Sequence, residues 1–384
     1  MKTKKFRVAL SLFFIFFGAL SPLGAAAYDT DDATCAASAF ETEDTTYATS
    51  VFDTDDSVET LSDNVKIGSR FQDLLFGEAK ASKTLKLIPG GEIFGVKIKQ
   101  KHVTVIESKG VPALKRGDII LSINGTAVET VADVKTLLSK SGGESVTVRA
   151  LHGGSEIAIE VRPKLVDGEY HLGISLRDGA AGIGTVTFID PKSGLFGGLG
   201  HGICDSETGE VVEMDKGVAT GAILGGVHKG ECGKPGELTG ILTDEVKGTL
   251  SVNSECGVFG VFDSASAASR TAIPVAAKNE VKAGEAKIIS TVKNGKTAEY
   301  RIEIFDIDTA STGSKSFRVR VTDEALKAMT GGIVRGMSGS PIIQNGKLVG
   351  AVTHVMVANP TEGYGIFIEN MLSASGSDSL PKAA

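Results

Sequence analysis

From about Val166 onward, apolar residues recur with a period of two, in short runs that glycine and aspartate keep cutting off. Residues 184–189, 258–262, 286–289, 300–304 and 317–321 are of this kind. A period of two places alternate side chains on opposite faces of a pleated strand, and such short runs do not make amphipathic helices. Many short strands over roughly 200 residues predict a β-barrel or a pair of them. The chain has 384 residues, 48 of them Gly and none Trp, enough for two domains and additional segments.

The preceding residues divide by composition. Residues 1–27 read as an export signal: Lys2, Lys4, Lys5 and Arg7 lead into an apolar run, and Ala25-Ala26-Ala27 offers a small-residue cleavage site. A cleaved signal and a retained anchor both fit. Residues 28–83 form an acidic linker rich in Thr, Ser and Asp, with too little apolar surface to offset chain entropy. The formal charge of −7 comes from that linker, and the body beyond it is close to neutral. A neutral body without a basic stripe excludes nucleic acid as a partner. Cys35, Cys204, Cys232 and Cys256 show no metal-ligand spacing, so no metal is expected.

Residues 84–165 read as a first folded unit. Pro89-Gly90-Gly91 closes a short strand, and Ile93-Phe94-Gly95-Val96 reads as a glycine-marked loop. Asn124-Gly125 is a hairpin turn after the strand 119–123. Val131, Val134, Leu137 and Leu138 recur at helical spacing until Gly142-Gly143.

Residues 166–384 carry the chemistry. In Gly336-Met337-Ser338-Gly339-Ser340-Pro341, a serine sits in a tight turn before the strand Ile342-Ile343 and the turn Asn345-Gly346. Glycines let such a turn aim its N–H groups at one point, so Gly336 and Ser338 are candidate oxyanion donors and Ser338 a candidate nucleophile. A nucleophilic hydroxyl needs a base. His102, His152, His171, His228 and His354 compete with His201, which alone has glycine on both sides in Gly200-His201-Gly202. For an orienting carboxylate Asp205, Asp244, Asp263 and Asp323 remain open, and Asp323 also reads as the cap of a short helix.

Three resemblances rest on these residues. The hexapeptide around Ser338 resembles the Gly-Asp-Ser-Gly-Gly-Pro nucleophile loop of chymotrypsin-like proteases, with Met337 for Asp and Ser340 for Gly. The first unit, with Gly117-Asp118 to Asn124-Gly125, resembles a PDZ domain. That likeness implies a groove for peptide termini, with Ile93, Phe94, Gly95 and Val96 as the carboxylate loop. The signal, spacer, PDZ-like unit, Gly200-His201-Gly202-Ile203 and Thr330-Gly331-Gly332 through Pro341-Ile342 resemble, in this order, the stage IV sporulation protein B peptidases.

The last resemblance implies a mostly β chain, a PDZ domain followed by a chymotrypsin-like double β-barrel. It also implies a catalytic set of His201, Asp323 and Ser338, with no cofactor. The expected setting is export into the forespore intermembrane space. There the chain would cleave itself and a membrane-bound regulatory protein, which starts intramembrane processing of a late sigma factor.

Overall fold

The computed structural model describes residues 85–205, 209–262 and 270–376. The expected signal, the whole acidic linker and Asp263 lie outside them. The longest strands set the plan. Strand β1 (Lys86–Pro89) precedes β2 (Ile93–Glu107), whose first half pairs with β9 (Ser175–Ile189), Ile93 opposite Thr185 and Lys99 opposite Gly179. Strand β9 then pairs with β10 (Leu195–Gly198), and β10 with β13 (Gly257–Phe262). Strand β13 pairs with β12 (Glu237–Ser254), β12 with β11 (Met214–His228), and β11 returns to β2. The ladder is a closed ring, which leaves no edge strand to template aggregation. Its interior is aromatic: Phe196 stacks on Phe262 at 3.8 Å, and Phe94 meets Phe196 edge-on at 5.8 Å.

Beyond Lys99 and before Gly179, β2 and β9 leave the ring together and build a second core. Val105 lies opposite Leu176 and Glu107 opposite Ser175. Strands β3 (Ile119–Ile123), β4 (Thr126–Ala127), β5 (Val146–His152) and β6 (Ser155–Val161) extend this sheet. Strands β7 (Lys164–Val166) and β8 (Glu169–His171) make a hairpin beside it. Helix α1 (Val131–Lys140) covers the sheet with Val131, Val134 and Leu138. It starts at Thr130, whose hydroxyl accepts from Asp133 N–H while the Asp133 carboxylate reaches back to Thr130 N–H, two donors satisfied reciprocally. The carboxylate of Asp178 on β9 accepts from Val131 N–H at 2.9 Å and ties the strand to the helix start.

The boundary expected between residues 165 and 166 is therefore corrected. The unit with α1 has its core from Val103 to Leu176, and it is inserted between two strands of the first ring. Residues 93–99 belong to the ring, because backbone pairing with both β9 and β11 outweighs their position in the chain.

The second ring is contiguous. Strands β15 (Gly284–Lys293), β16 (Lys296–Phe305), β17 (Phe317–Val321), β18 (Pro341–Gln344), β19 (Lys347–Met356) and β20 (Asn359–Phe367) close in the order β15-β16-β17-β20-β19-β18. Asn345 and Gly346, with φ of 51° and 74°, turn β18 into β19 as a two-residue hairpin requires. Inside lie Ile288, Ile302, Ile304, Val319, Ile342 and Phe317, all 2% exposed or less. Truncating one such isoleucine to alanine costs about 2–5 kcal/mol. Helix α2 (Glu324–Thr330) precedes the Ser338 turn, and α3 (Ile368–Ala374) follows β20. Short strand β14 (Ile273–Pro274) pairs with β1 outside both rings. Ile93 and Leu238 of the first ring pack against the core of the second.

Candidate active site

The turn around Ser338 lies where the rings meet. Gly339 has φ +94°, and a Cβ there would stand 2.0 Å from Thr185 O and 2.5 Å from Leu199 N, so only glycine lets the rings approach this closely. Met337, fully buried, anchors the turn, and its N–H donates to Val334 O at 3.1 Å. Gly339 N–H donates to Val352 O at 2.8 Å, and Ser340 Oγ to Ser290 Oγ at 3.1 Å. Two donors differ from these neighbours. Among the described residues no carbonyl accepts from Gly336 N–H or Ser338 N–H. Two unused N–H groups flanking Met337 are the donors that an anion-stabilising site needs. Ser338 Oγ, half-buried, donates to Thr353 O at 2.7 Å.

His201 comes from the first ring. After β10 the chain turns through Leu199 and Gly200, with φ of 63° and 70°, and a Cβ on Gly200 would stand 2.9 Å from Thr353 Cγ2. Residue 200 thus abuts the residue whose carbonyl receives the Ser338 hydroxyl. Thr185 joins the two segments, since its carbonyl accepts from Leu199 N–H at 3.2 Å and its N–H donates to Ser338 O at 3.0 Å. The His201 ring lies 4.9 Å from that of His354, the neighbour of Thr353, with an interplanar angle of 36°.

The His201 tautomer follows from its own backbone. Nδ1 faces Gly202 O at 2.8 Å, and a nitrogen facing a carbonyl carries the proton in the neutral ring. Nε2 therefore keeps its lone pair. Burial holds the imidazole below its ordinary pKa, with the Gly202 hydrogen bond acting against that shift. A neutral imidazole with the lone pair on Nε2 is the form a proton acceptor needs at neutral pH.

Asp323 does something else. It caps α2, its carboxylate accepting from Leu326 N–H at 3.1 Å and Arg301 N–H at 3.4 Å, with the Arg301 guanidinium 3.7 Å away. Burial raises its pKa, but the N–H groups of Leu326, Arg301 and Ala325 and the charge of Arg301 outweigh that and hold it below the usual carboxylate value. The expectation that Asp323 orients His201 is corrected: helix capping consumes the carboxylate, and Gly202 O takes Nδ1. Asp205 pairs with Arg177 of β9, and Asp244 is exposed on β12. His102 is exposed, His152 bonds the buried Asp118 at 2.8 Å, and His228 pairs with Glu237 at 3.1 Å.

The expected carboxylate loop is a second correction. Ile93, Phe94, Gly95 and Val96 are paired on one side with residues 182–185, Gly95 and Val96 also with β11, and Phe94 is a core residue at 2% exposure. The turn that opens the β9 edge beside α1 is Leu172-Gly173-Ile174, with Gly173 at φ +75°. Over residues 175–181 the second edge of β9 has no strand partner among the described residues. Among the described residues no cluster of three or more His, Cys, Asp or Glu gathers.

Known proteins were compared with this chain. The family described as SpoIVB peptidase S55 matches residues 168–372, and the PDZ family matches residues 113–151. The mll0638 protein of Mesorhizobium japonicum is 28% identical over 82 residues, and the chain spans only 22% of that relative. Among solved structures, the Rv3671c protease of Mycobacterium tuberculosis in its active form is 12% identical, with 63% of this chain and 85% of that chain covered and a TM-score of 0.29. The HtrA-type protease AlgW with a decapeptide is 9% identical, covering 53% of each chain at a TM-score of 0.32. The PDZ domain of the SdrC-like protein of Listeria monocytogenes is 27% identical, covering 21% of this chain and 90% of that one at a TM-score of 0.19.

Proposed function

Because this chain belongs to the SpoIVB peptidase S55 family, as a PDZ-containing serine peptidase, we propose that it hydrolyses peptide bonds through an acyl-enzyme formed on Ser338. One observation carries the reading: Ser338 N–H is one of two unused donors that flank Met337, the other being Gly336 N–H, and Thr185 ties the turn to the segment that delivers His201. His201 Nε2 takes the hydroxyl proton as Ser338 Oγ attacks the scissile carbonyl, and returns it to the leaving amine. The N–H groups of Gly336 and Ser338 receive the oxyanion, an interaction worth about a hundredfold to a thousandfold in rate per donor. Gly202 O holds Nδ1–H and so fixes the ring in the working tautomer. Water then attacks the acyl group with His201 again as base.

The PDZ unit takes an extended peptide terminus as an added strand on the free edge of β9, beside α1, with its carboxylate at Leu172-Gly173-Ile174. The setting that family membership supports is sporulation signalling: an exported chain that cleaves itself and a membrane-bound regulatory protein, so that a late sigma factor is processed. In a sporulating host carrying Ser338→Ala as the sole copy, self-processing and sigma-factor processing both stop on this reading. Normal processing in that strain refutes it.

A further inference from the structure

The strand shared by the ring and the PDZ unit does more than join them. Thr185 and Thr187, both fully buried on β9, reach across to the nucleophile turn with their hydroxyls. Thr185 Oγ1 donates to Gly336 O at 2.8 Å, and Thr187 Oγ1 donates to Gly339 O at 2.8 Å. Thr185 N–H donates in addition to Ser338 O at 3.0 Å. Each contact fixes one peptide plane. The Gly336 carbonyl belongs to the plane joining residues 336 and 337, the Ser338 carbonyl to the next plane but one, and the Gly339 carbonyl to the plane after that.

The two candidate oxyanion donors lie on the planes between and beside these. Gly336 N–H is on the plane just before the one that the Thr185 hydroxyl holds. Ser338 N–H is on the plane between the two that Thr185 holds by hydroxyl and by N–H. A glycine at φ +90° has no side-chain barrier against rotation of its peptide, so Gly336 cannot hold its own carbonyl direction. Rotation of the 336–337 plane would change the directions of both neighbouring N–H groups relative to each other.

We propose that Thr185 is a positioning residue for the oxyanion turn, with Thr187 as a weaker second brace, so that a strand of the first ring sets the donor geometry of a turn in the second. The proposal rests on the reading of Ser338 as nucleophile. It assigns the threonines no contact with substrate. Removal of the Thr185 hydroxyl touches neither Ser338 Oγ nor His201 and leaves the 336–337 plane held by Met337 N–H on Val334 O alone. The plane then turns more freely, which lowers the acylation rate and leaves substrate binding unchanged.

The test uses the purified chain with p-nitrophenyl acetate, whose acylation depends on the oxyanion site and not on peptide specificity. For Thr185→Val the limiting acylation rate falls about tenfold to a hundredfold, with KM within about twofold, by analogy with the loss of one oxyanion donor. Thr185→Ser keeps the hydroxyl and recovers the parent rate to within about threefold. Thr187→Val acts on a plane one step removed and falls by less, about threefold to tenfold. Thermal unfolding of each variant is followed alongside; Thr185→Ser and Thr187→Val carry the test if Thr185→Val does not fold.

A folded Thr185→Val chain that acylates at the parent rate overturns the proposal, and so does a Thr185→Ser chain as slow as the valine variant. Parent chain that is not acylated at Ser338 overturns the nucleophile assignment instead.

Discussion

The two rings each supply one half of the site, and they are closed in different ways. The second is one uninterrupted run of chain, 284–367, in which two-residue turns join β15 to β16, β18 to β19 and β19 to β20, and the β16–β17, β15–β18 and β17–β20 pairs complete the ring. The first closes only where β2 meets β9, and between those halves the chain makes the whole PDZ unit. Ser338 sits on the contiguous ring and His201 on the divided one. Local closure makes a platform whose geometry depends on its own hairpins. Closure through an insertion makes the His201 ring answer to whatever holds β2 and β9 together, including the groove side of β9.

The sharpest way to break this comparison is to remove each half of the site. Ser338→Ala is expected to abolish turnover by four orders of magnitude or more, on the order of ~10⁴ to 10⁶, measured on a peptide substrate. His201→Ala is expected to approach the same loss, because base and nucleophile act as one unit. A His201→Ala chain that turns over at a tenth of the parent rate separates the two rings functionally and refutes their convergence.

Next in size is the insertion itself. Lys99 and Gly179 are cross-strand partners, so an Asn-Gly turn joining them would excise residues 100–178 and keep the ring's β2–β9 ladder, at the loss of the Gln100–Met214 pair between β2 and β11. The shortened chain is expected to fold and to keep Ser338 acylation within about tenfold of the parent, since residues 93–99 and 179–185 still close the ring. Loss of cooperative thermal unfolding in this chain would show that the divided ring depends on the PDZ core for its closure.

A smaller effect is the pH response of the two halves. Burial lowers the His201 pKa from its ordinary value, so the acid limb of kcat/KM is expected below pH ~6.5. The unfolded chain then holds the His201 proton more tightly than the folded one. The corresponding stability is intact above pH ~6.5 and is lost as the pH falls below that value. An acid limb centred above pH 7 contradicts this. Smallest is Asp323→Ala, expected to cost about 0.5–2 kcal/mol of stability as a lost helix cap, read by thermal unfolding.

The contiguous ring was legible in sequence for the same reason that it is rigid. Its strands lie in one stretch of chain with half of their pairings made across two-residue turns, and Asn345-Gly346 announces a hairpin that φ values of 51° and 74° require. The site could be read from its ends as well: glycine on both sides of His201, and the turn around Ser338, mark places where the backbone must come close. The divided ring was hidden. Pairing of β2 with β9 spans the PDZ unit, and no local pattern reports a partner that distant. Ile93 to Val96 carried a glycine among apolar residues, a pattern shared by a carboxylate loop and by a strand paired on both sides. In the strand, Gly95 is needed because a Cβ would lie 2.2 Å from Thr220 Oγ1. Asp323 stands fifteen residues before Ser338, and chain separation cannot distinguish a cap of α2 from a partner of His201.

The most direct test of the account is the rate at which a fluorophosphonate probe labels Ser338 in the parent, His201→Ala and Asp323→Ala chains at neutral pH. The account predicts near-complete loss of labelling without His201, and labelling within about threefold of the parent without Asp323, because Gly202 O rather than a carboxylate holds the imidazole. An Asp323→Ala chain that is folded and labels as slowly as His201→Ala would contradict it.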